Sequence, residues 1–162
     1  MFSVATLVGC TSIGMSDLFF GYSQQMQESR SAQLRGDFVV ATTSVISVNR
    51  QHNNYALSQL EKARLQFLSH DWLASQKSFE LAYQQVQAEE QAAKIQISSG
   101  LKKVSAVVTN DNAIGYEIPS YEQGMLHSYQ ALNYLYQGSL EGALVEVRRA
   151  NLVQERALKT NQ

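Results

Sequence analysis

A single cysteine in 162 residues rules out an internal disulfide framework and any zinc site built from several thiolates. One proline and nine glycines are too few for collagen, a flexible linker protein or a turn-rich β-sandwich. A surplus of charge is missing too. Thirteen lysines and arginines stand against fourteen aspartates and glutamates, a formal charge of -1, so nothing basic is spare to hold a nucleic-acid backbone. Nucleic-acid partners are not expected. Catalytic motifs are equally scarce: there is no G-x-S-x-G, no G-x-G-x-x-G and no phosphate-binding loop. His52, His70 and His127 are widely spaced and form no H-E-x-x-H, so a zinc site would need separate helices to assemble it. The expectation is a protein without metal, cofactor, small-molecule substrate or catalytic residues.

The chain opens without charge from Met1 to Ser16. Its first eight residues are apolar enough for the core of a signal peptide and too short to span a bilayer. They run into Leu7-Val8-Gly9-Cys10, followed by Thr11-Ser12. This resembles the lipobox of bacterial lipoproteins, where small side chains let the backbone enter a peptidase site and the thiol takes a diacylglycerol. The resemblance implies a signal-peptide remnant over 1–9, lipidation at Cys10, a lipid-anchored linker over 10–15 and a helical domain over 16–162. Thr11 in place of an aspartate implies sorting to the outer membrane, on its periplasmic face. No basic residue precedes the apolar run, which leaves a second reading: Cys10 as a small buried side chain in a cytoplasmic protein.

From Asp17 onward, Gln, Ala, Leu, Glu and Ser dominate and only Pro119 breaks the run, a composition suited to helices. The body also repeats. Leu34-Arg35-Gly36-Asp37-Phe38 and Leu68-Ser69-His70-Asp71-Trp72 lie 34 residues apart, and Tyr136-Gln137-Gly138-Ser139-Leu140 lies twice that distance further on. Each segment puts a capping side chain (Asp37, Asp71, Ser139) before a large apolar residue (Phe38, Trp72, Leu140). A small residue follows three positions later (Ala41, Ser75, Ala143) and a bulkier one at seven (Val45, Phe79, Val147). Val48, Ala82 and Ala150 follow at ten. Small residues let helices approach closely, and bulky ones fill the gap beside them.

This period and pattern resemble tetratricopeptide repeats, pairs of helices recurring every 34 residues. The expected fold is all-α, with tetratricopeptide-like antiparallel helix pairs. First helices are expected near 16–35, 53–69 and 120–137, and second helices from Asp37, Asp71 and Ser139. Ser120 with Gln123 fits a capping box, while Ser58 with Glu61 falls inside a helix and reads as a solvated pair or a late helix start. Where a turn should fall in phase, Lys102 to Ala106 continues as an apolar segment, so one repeat is interrupted by a loop near 109–119. Trp72 is expected to be buried between helices.

Thr109-Asn110-Asp111-Asn112-Ala113, Tyr116-Glu117, Tyr121-Glu122, Ala131-Leu132-Asn133-Tyr134-Leu135 and Val145-Glu146-Val147-Arg148-Arg149-Ala150, together with the lipobox, resemble a family of uncharacterised bacterial tetratricopeptide-like envelope lipoproteins. Members of that family are longer, which implies a copy shortened at both ends. The family carries no activity to transfer. The candidate partner-binding residues are Asn110, Asp111, Asn112, Tyr116, Glu117, Tyr121, Arg148 and Arg149. The Asx run caps helices, binds a cation weakly or meets a partner. Tyr116 and Tyr121 read as loop-borne and free, whereas Tyr129 and Tyr136 read as core. One of Arg148 and Arg149 is expected to pair within its helix, and the other to fix the loop through Asp111 or Glu117 or to bind an anion.

The function these readings imply is a non-enzymatic envelope scaffold, anchored to a membrane by its lipid and binding a protein on its concave face. Two rivals stand beside it. One is a soluble cytoplasmic repeat adaptor without lipid. The other is a serine-dependent envelope enzyme using Ser99 and Lys102, which fit S-x-x-K but lack the K-T-G strand of that class.

Overall fold

The computed structural model describes residues 21–98 and 116–160. Every regular element there is helical: α1 (Gln27–Leu34), α2 (Phe38–Thr43), α3 (Tyr55–Leu68), α4 (Trp72–Ser98), α5 (Ser120–Tyr136) and α6 (Leu140–Thr160). A helical turn over 21–25 leads into α1. The helices form three hairpins, α1 with α2, α3 with α4 and α5 with α6. Successive hairpins stack through α2 on α3 and α4 on α5, and α3 also touches α5. The chain is all-α and built of tetratricopeptide-like antiparallel pairs.

The three tight turns share one geometry. Gly36, His70 and Gly138 take φ of 76°, 64° and 78°, the left-handed conformation that ends a helix and turns the chain back. The next amide in each turn (Asp37, Asp71, Ser139) donates to a carbonyl five residues earlier (Ala32, Gln66, Tyr134) at 2.9, 2.9 and 2.8 Å. The same three residues then cap the following helix. Asp37 Oδ1 accepts from the Val40 amide at 3.0 Å, Asp71 Oδ1 from Ala74 at 3.1 Å and Ser139 Oγ from Gly142 at 3.3 Å. Cap and turn residues therefore recur in register with the sequence period.

Small residues mark where the two helices of a pair cross. Ser29 Oγ donates to the Ala41 carbonyl at 2.8 Å. In the second pair the roles swap, and Ser75 Oγ donates to the Ala63 carbonyl at 2.9 Å. The equivalent residues of the third pair, Ala131 and Ala143, are both buried. Around these crossings lie two cores. One gathers Met26, Ala32, Ala41, Val45 and Leu65. The other gathers Ala56, Ala63, Phe79, Ala82, Val86, Ile118 and Leu126.

Several expectations need correction. The second helix of the first pair stops at Thr43, and residues 46–49 form no regular element. The run Val39-Val40-Ala41-Thr42-Thr43 is rich in β-branched residues, and both threonine hydroxyls bond back to carbonyls of the same helix, which disfavours continuation. Ser120 is not a cap: Pro119 holds that position without a side-chain bond, while Gln123 Nε2 donates to the Ile118 carbonyl at 2.9 Å. Ser58 is buried rather than solvated, and its Oγ donates to the Ile46 carbonyl at 2.6 Å. Val147 is 47% exposed because no described helix packs beyond α6. Trp72 is half-buried, stacked on Tyr136 at 4.2 Å and 10°. The proposed interruption at 102–106 and the loop residues 109–115 lie outside the described residues, as do Met1 to Phe20.

The crossings have no spare volume, since Ala63 and Ser75 are fully buried. Ala63→Leu is expected to destabilise the chain by about 2–3 kcal/mol through overpacking, read as a lower denaturant midpoint. An unchanged midpoint would contradict the close crossing.

Candidate functional site

The first helices of the second and third pairs, α3 and α5, leave a cleft of about 220 Å³ between them. Leu57, Leu60, Glu61 and Arg64 project from α3, and Tyr121, Glu122, Met125, Leu126 and Tyr129 from α5. The spacing explains this, because residues three and four apart share one helix face. Phe79 of α4 closes the floor, stacked on Tyr129 at 5.4 Å. The floor is apolar and the rim is ionic.

Two bonded groups fix that rim. Arg64 Nη2 donates to Glu61 Oε2 at 3.1 Å and to Gln33 Oε1 at 2.7 Å, so α3 is tied to α1. Glu122 accepts from the Tyr116 hydroxyl at 2.6 Å and from the exposed Tyr121 hydroxyl at 3.4 Å. The Tyr116 amide donates to the Asn53 carbonyl at 2.9 Å, and its ring packs on the second core. Burial, then the bond to the Glu122 carboxylate, push the Tyr116 phenol well above its ordinary range. Tyr22, packed against the first core, is pushed up to about 12 by burial, with Glu61 adding and Arg30 opposing.

Behind α5 lies a buried polar cluster. His127 Nδ1 meets Glu146 Oε2 at 2.7 Å, with both side chains almost fully buried. Glu146 Oε1 accepts from Arg149 Nη1 at 2.7 Å, and the Arg149 guanidinium sits 5.1 Å over the Tyr83 ring. The Tyr83 ring also meets His127 edge-on at 4.8 Å. Beside this cluster, Asn133 Nδ2 donates to Ser75 Oγ at 2.9 Å. These contacts lock α5 against α4 and α6, and so set the cleft's second wall. His127 and Glu146 are interior, and Arg149 reaches the surface. Both oxygens of the buried Glu146 carboxylate are bonded, and removing a partner would leave a buried charge uncompensated, so the cluster reads as structural.

The expected site residues scatter. Tyr116 is half-buried and bonded, not free. Tyr121 lies on α5 rather than in a loop, 70% exposed at the cleft rim. Glu117 is exposed and away from the cleft lining. Arg149 pairs within its own helix with Glu146, so no described arginine fixes the segment before α5 through Glu117; Arg148 is exposed. Tyr136 is 59% exposed and Tyr129 half-buried, less enclosed than core residues. Cys10, Ser99, Lys102, Asn110, Asp111 and Asn112 lie outside the described residues.

Sequence reasoning missed the α3 wall and the His127–Glu146 contact. A pointer to the second was present. Glu146 occupies the register that Ser44 and Ser78 hold in the other pairs, and a carboxylate where the other pairs place a small serine calls for a partner. Among the described residues no group of three or more His, Cys, Asp or Glu could hold a metal ion. No family model, no curated protein and no solved structure matches the chain.

The Tyr116 shift has a definite sign. A phenol whose folded-state pKa lies above the unfolded value of 10.0 contributes stability in full below that pH, and this is lost as pH rises through the folded value. Stability is therefore expected to fall above about pH 10. Tyr116→Phe should flatten that fall in denaturation midpoints taken across the alkaline range. An unchanged alkaline slope would contradict the bonded, buried phenol.

Proposed function

We propose that the chain is a non-enzymatic interaction scaffold that holds a segment of a partner protein in the cleft between α3 and α5. The observation that carries this reading is the cleft itself, an apolar floor of Leu57, Leu60, Phe79 and Met125 rimmed by fixed charges. Stacked helix pairs offer such extended grooves, and recognition there needs shape and a few oriented polar groups rather than reacting ones. The rim groups are already ordered by bonds to their own chain, which lowers the cost of ordering them on binding.

We further propose that the scaffold belongs to the tetratricopeptide-like envelope lipoproteins and is anchored by lipid at Cys10, on the periplasmic face of the outer membrane. The lipobox pattern supports this. Among the described residues no helix is long and apolar enough to cross a membrane.

Two measurements test the reading. The intact mass of the membrane-fraction protein, made from its own gene, is expected to show a chain starting at Cys10 with diacylglycerol and an N-acyl group. An unprocessed chain in the soluble fraction would remove the anchor and leave a cytoplasmic adaptor. A photoreactive residue in place of Met125 is expected to form one discrete protein adduct in living cells, absent when it replaces exposed Lys77 on α4. The same products at both positions, or none, would overturn the cleft as the binding site.

A further inference from the structure

The repeat register shows what the outer face of the third pair is shaped to meet. On α4, α5 and the residue that caps it cover three side chains: Trp72 stacks on Tyr136, Gln76 Oε1 accepts from Gln137 Nε2 at 2.7 Å, and Phe79 stacks on Tyr129. Sixty-eight positions later the same register on α6 holds Leu140, Leu144 and Val147. These are 65%, 48% and 47% exposed. The face that a helix covers on α4 is thus wholly aliphatic on α6, with no described helix over it, and Leu132 and Leu135 of α5 are exposed as well. A stripe of exposed aliphatic side chains on one helix face marks an interface.

We propose that this face pairs with the same face of a second copy of the chain, α6 lying antiparallel on α6 about a two-fold axis at Leu144. The spacing of Leu140, Leu144 and Val147 puts all three on one stripe. What such a stripe accepts is a helix with aliphatic side chains at the same spacing, and α6 is one. A two-fold contact also requires the patch to be complementary to itself. Centred on Leu144, the antiparallel arrangement sets Leu140 of one copy opposite Val147 of the other. It also sets Glu141 opposite Arg148. Both are exposed, they flank the stripe on one side, and neither forms an ion pair among the described residues. Apolar and ionic matching therefore arise from one register, and each contact is made twice. The pairing is independent of the cleft and of the lipid anchor.

Sedimentation of the 162-residue chain tests this, over about 1–100 µM so that a micromolar dissociation constant falls in range. A monomer–dimer equilibrium is expected, and Leu144→Glu should weaken it by about a hundred-fold, as for a central contact. Glu141→Arg and Arg148→Glu should each weaken it by about ten-fold through like-charge contacts, while the double exchange restores the wild-type constant. These positions are exposed, so monomer melting curves report that each variant still folds. A chain that stays monomeric throughout overturns the proposal and leaves the face to a helix of a different protein. A dimer unmoved by Leu144→Glu, or charge exchanges that do not restore each other, also overturns it.

Discussion

The close crossing of paired helices at small residues is the constraint on which the rest of the structure depends. Ser29 with Ala41, and Ala63 with Ser75, bring backbones near enough for a serine hydroxyl to reach a carbonyl of the facing helix. That hydroxyl sits on the first helix in one pair and on the second in the next, so the shared requirement is small volume rather than one residue type. The left-handed residue of each turn and the cap after it set the angle at which the second helix returns. His70 meets at one turn the conformation that glycine meets at the other two, and its ring stacks on Trp72 at 5.1 Å.

Given those hairpins, the position of α5 decides whether a binding surface exists. Aromatic side chains line the docking surface. Phe67 meets Trp72, Tyr129 and Tyr136 edge-on at 5.1, 5.0 and 6.0 Å. Ring pairs in this geometry contribute about 0.5–1.5 kcal/mol each beyond the area they bury. The polar cluster at His127 and Glu146 holds the opposite side of α5. Between the two, α5 is fixed as the neighbour of α3, and the cleft follows from that placement. The 27-residue α4 gives α5 a surface to lie on, and α6 reaches it through Arg149 over Tyr83 and Arg156 on Glu90.

Much of the fold was legible because its determinants are local. Asp37, Asp71 and Ser139 announce caps, the residue before each announces the turn, and Ala41, Ser75 and Ala143 announce the crossings. The early end of α2 was not legible from the period. In-phase Val45 suggested a helix, yet side-chain branching over 39–43 outweighs a weak register. The exposure of Val147 could not be read from its resemblance to Phe79, since burial depends on whether another helix follows in space. The site was less legible than the fold. Leu57, Leu60 and Met125 are ordinary helix residues whose meaning appears only when α3 and α5 are side by side. Tyr116 looked free because the loop sequence hides a carboxylate one helical turn into α5. Arg149 had two carboxylates within reach of a sequence argument, and the helical neighbour Glu146 took it, as spacing along a helix favours.

The central claim is that α5 docks on the second pair as the next repeat does, although an additional 34 residues separate them in the chain. Trp72 is the only tryptophan; it lies face to face with Tyr136 of α5 and also meets Phe67 and His70, two contacts that an exchange at Tyr136 leaves in place. Comparing the emission of the wild-type chain with that of Tyr136→Leu measures the docking most directly. The structure expects the Trp72 emission to move to longer wavelength and change in intensity when the stacked ring is removed, with the helical content retained. An emission spectrum identical in the two proteins would mean that Tyr136 does not cover Trp72, and would contradict the placement of α5 from which the cleft is built.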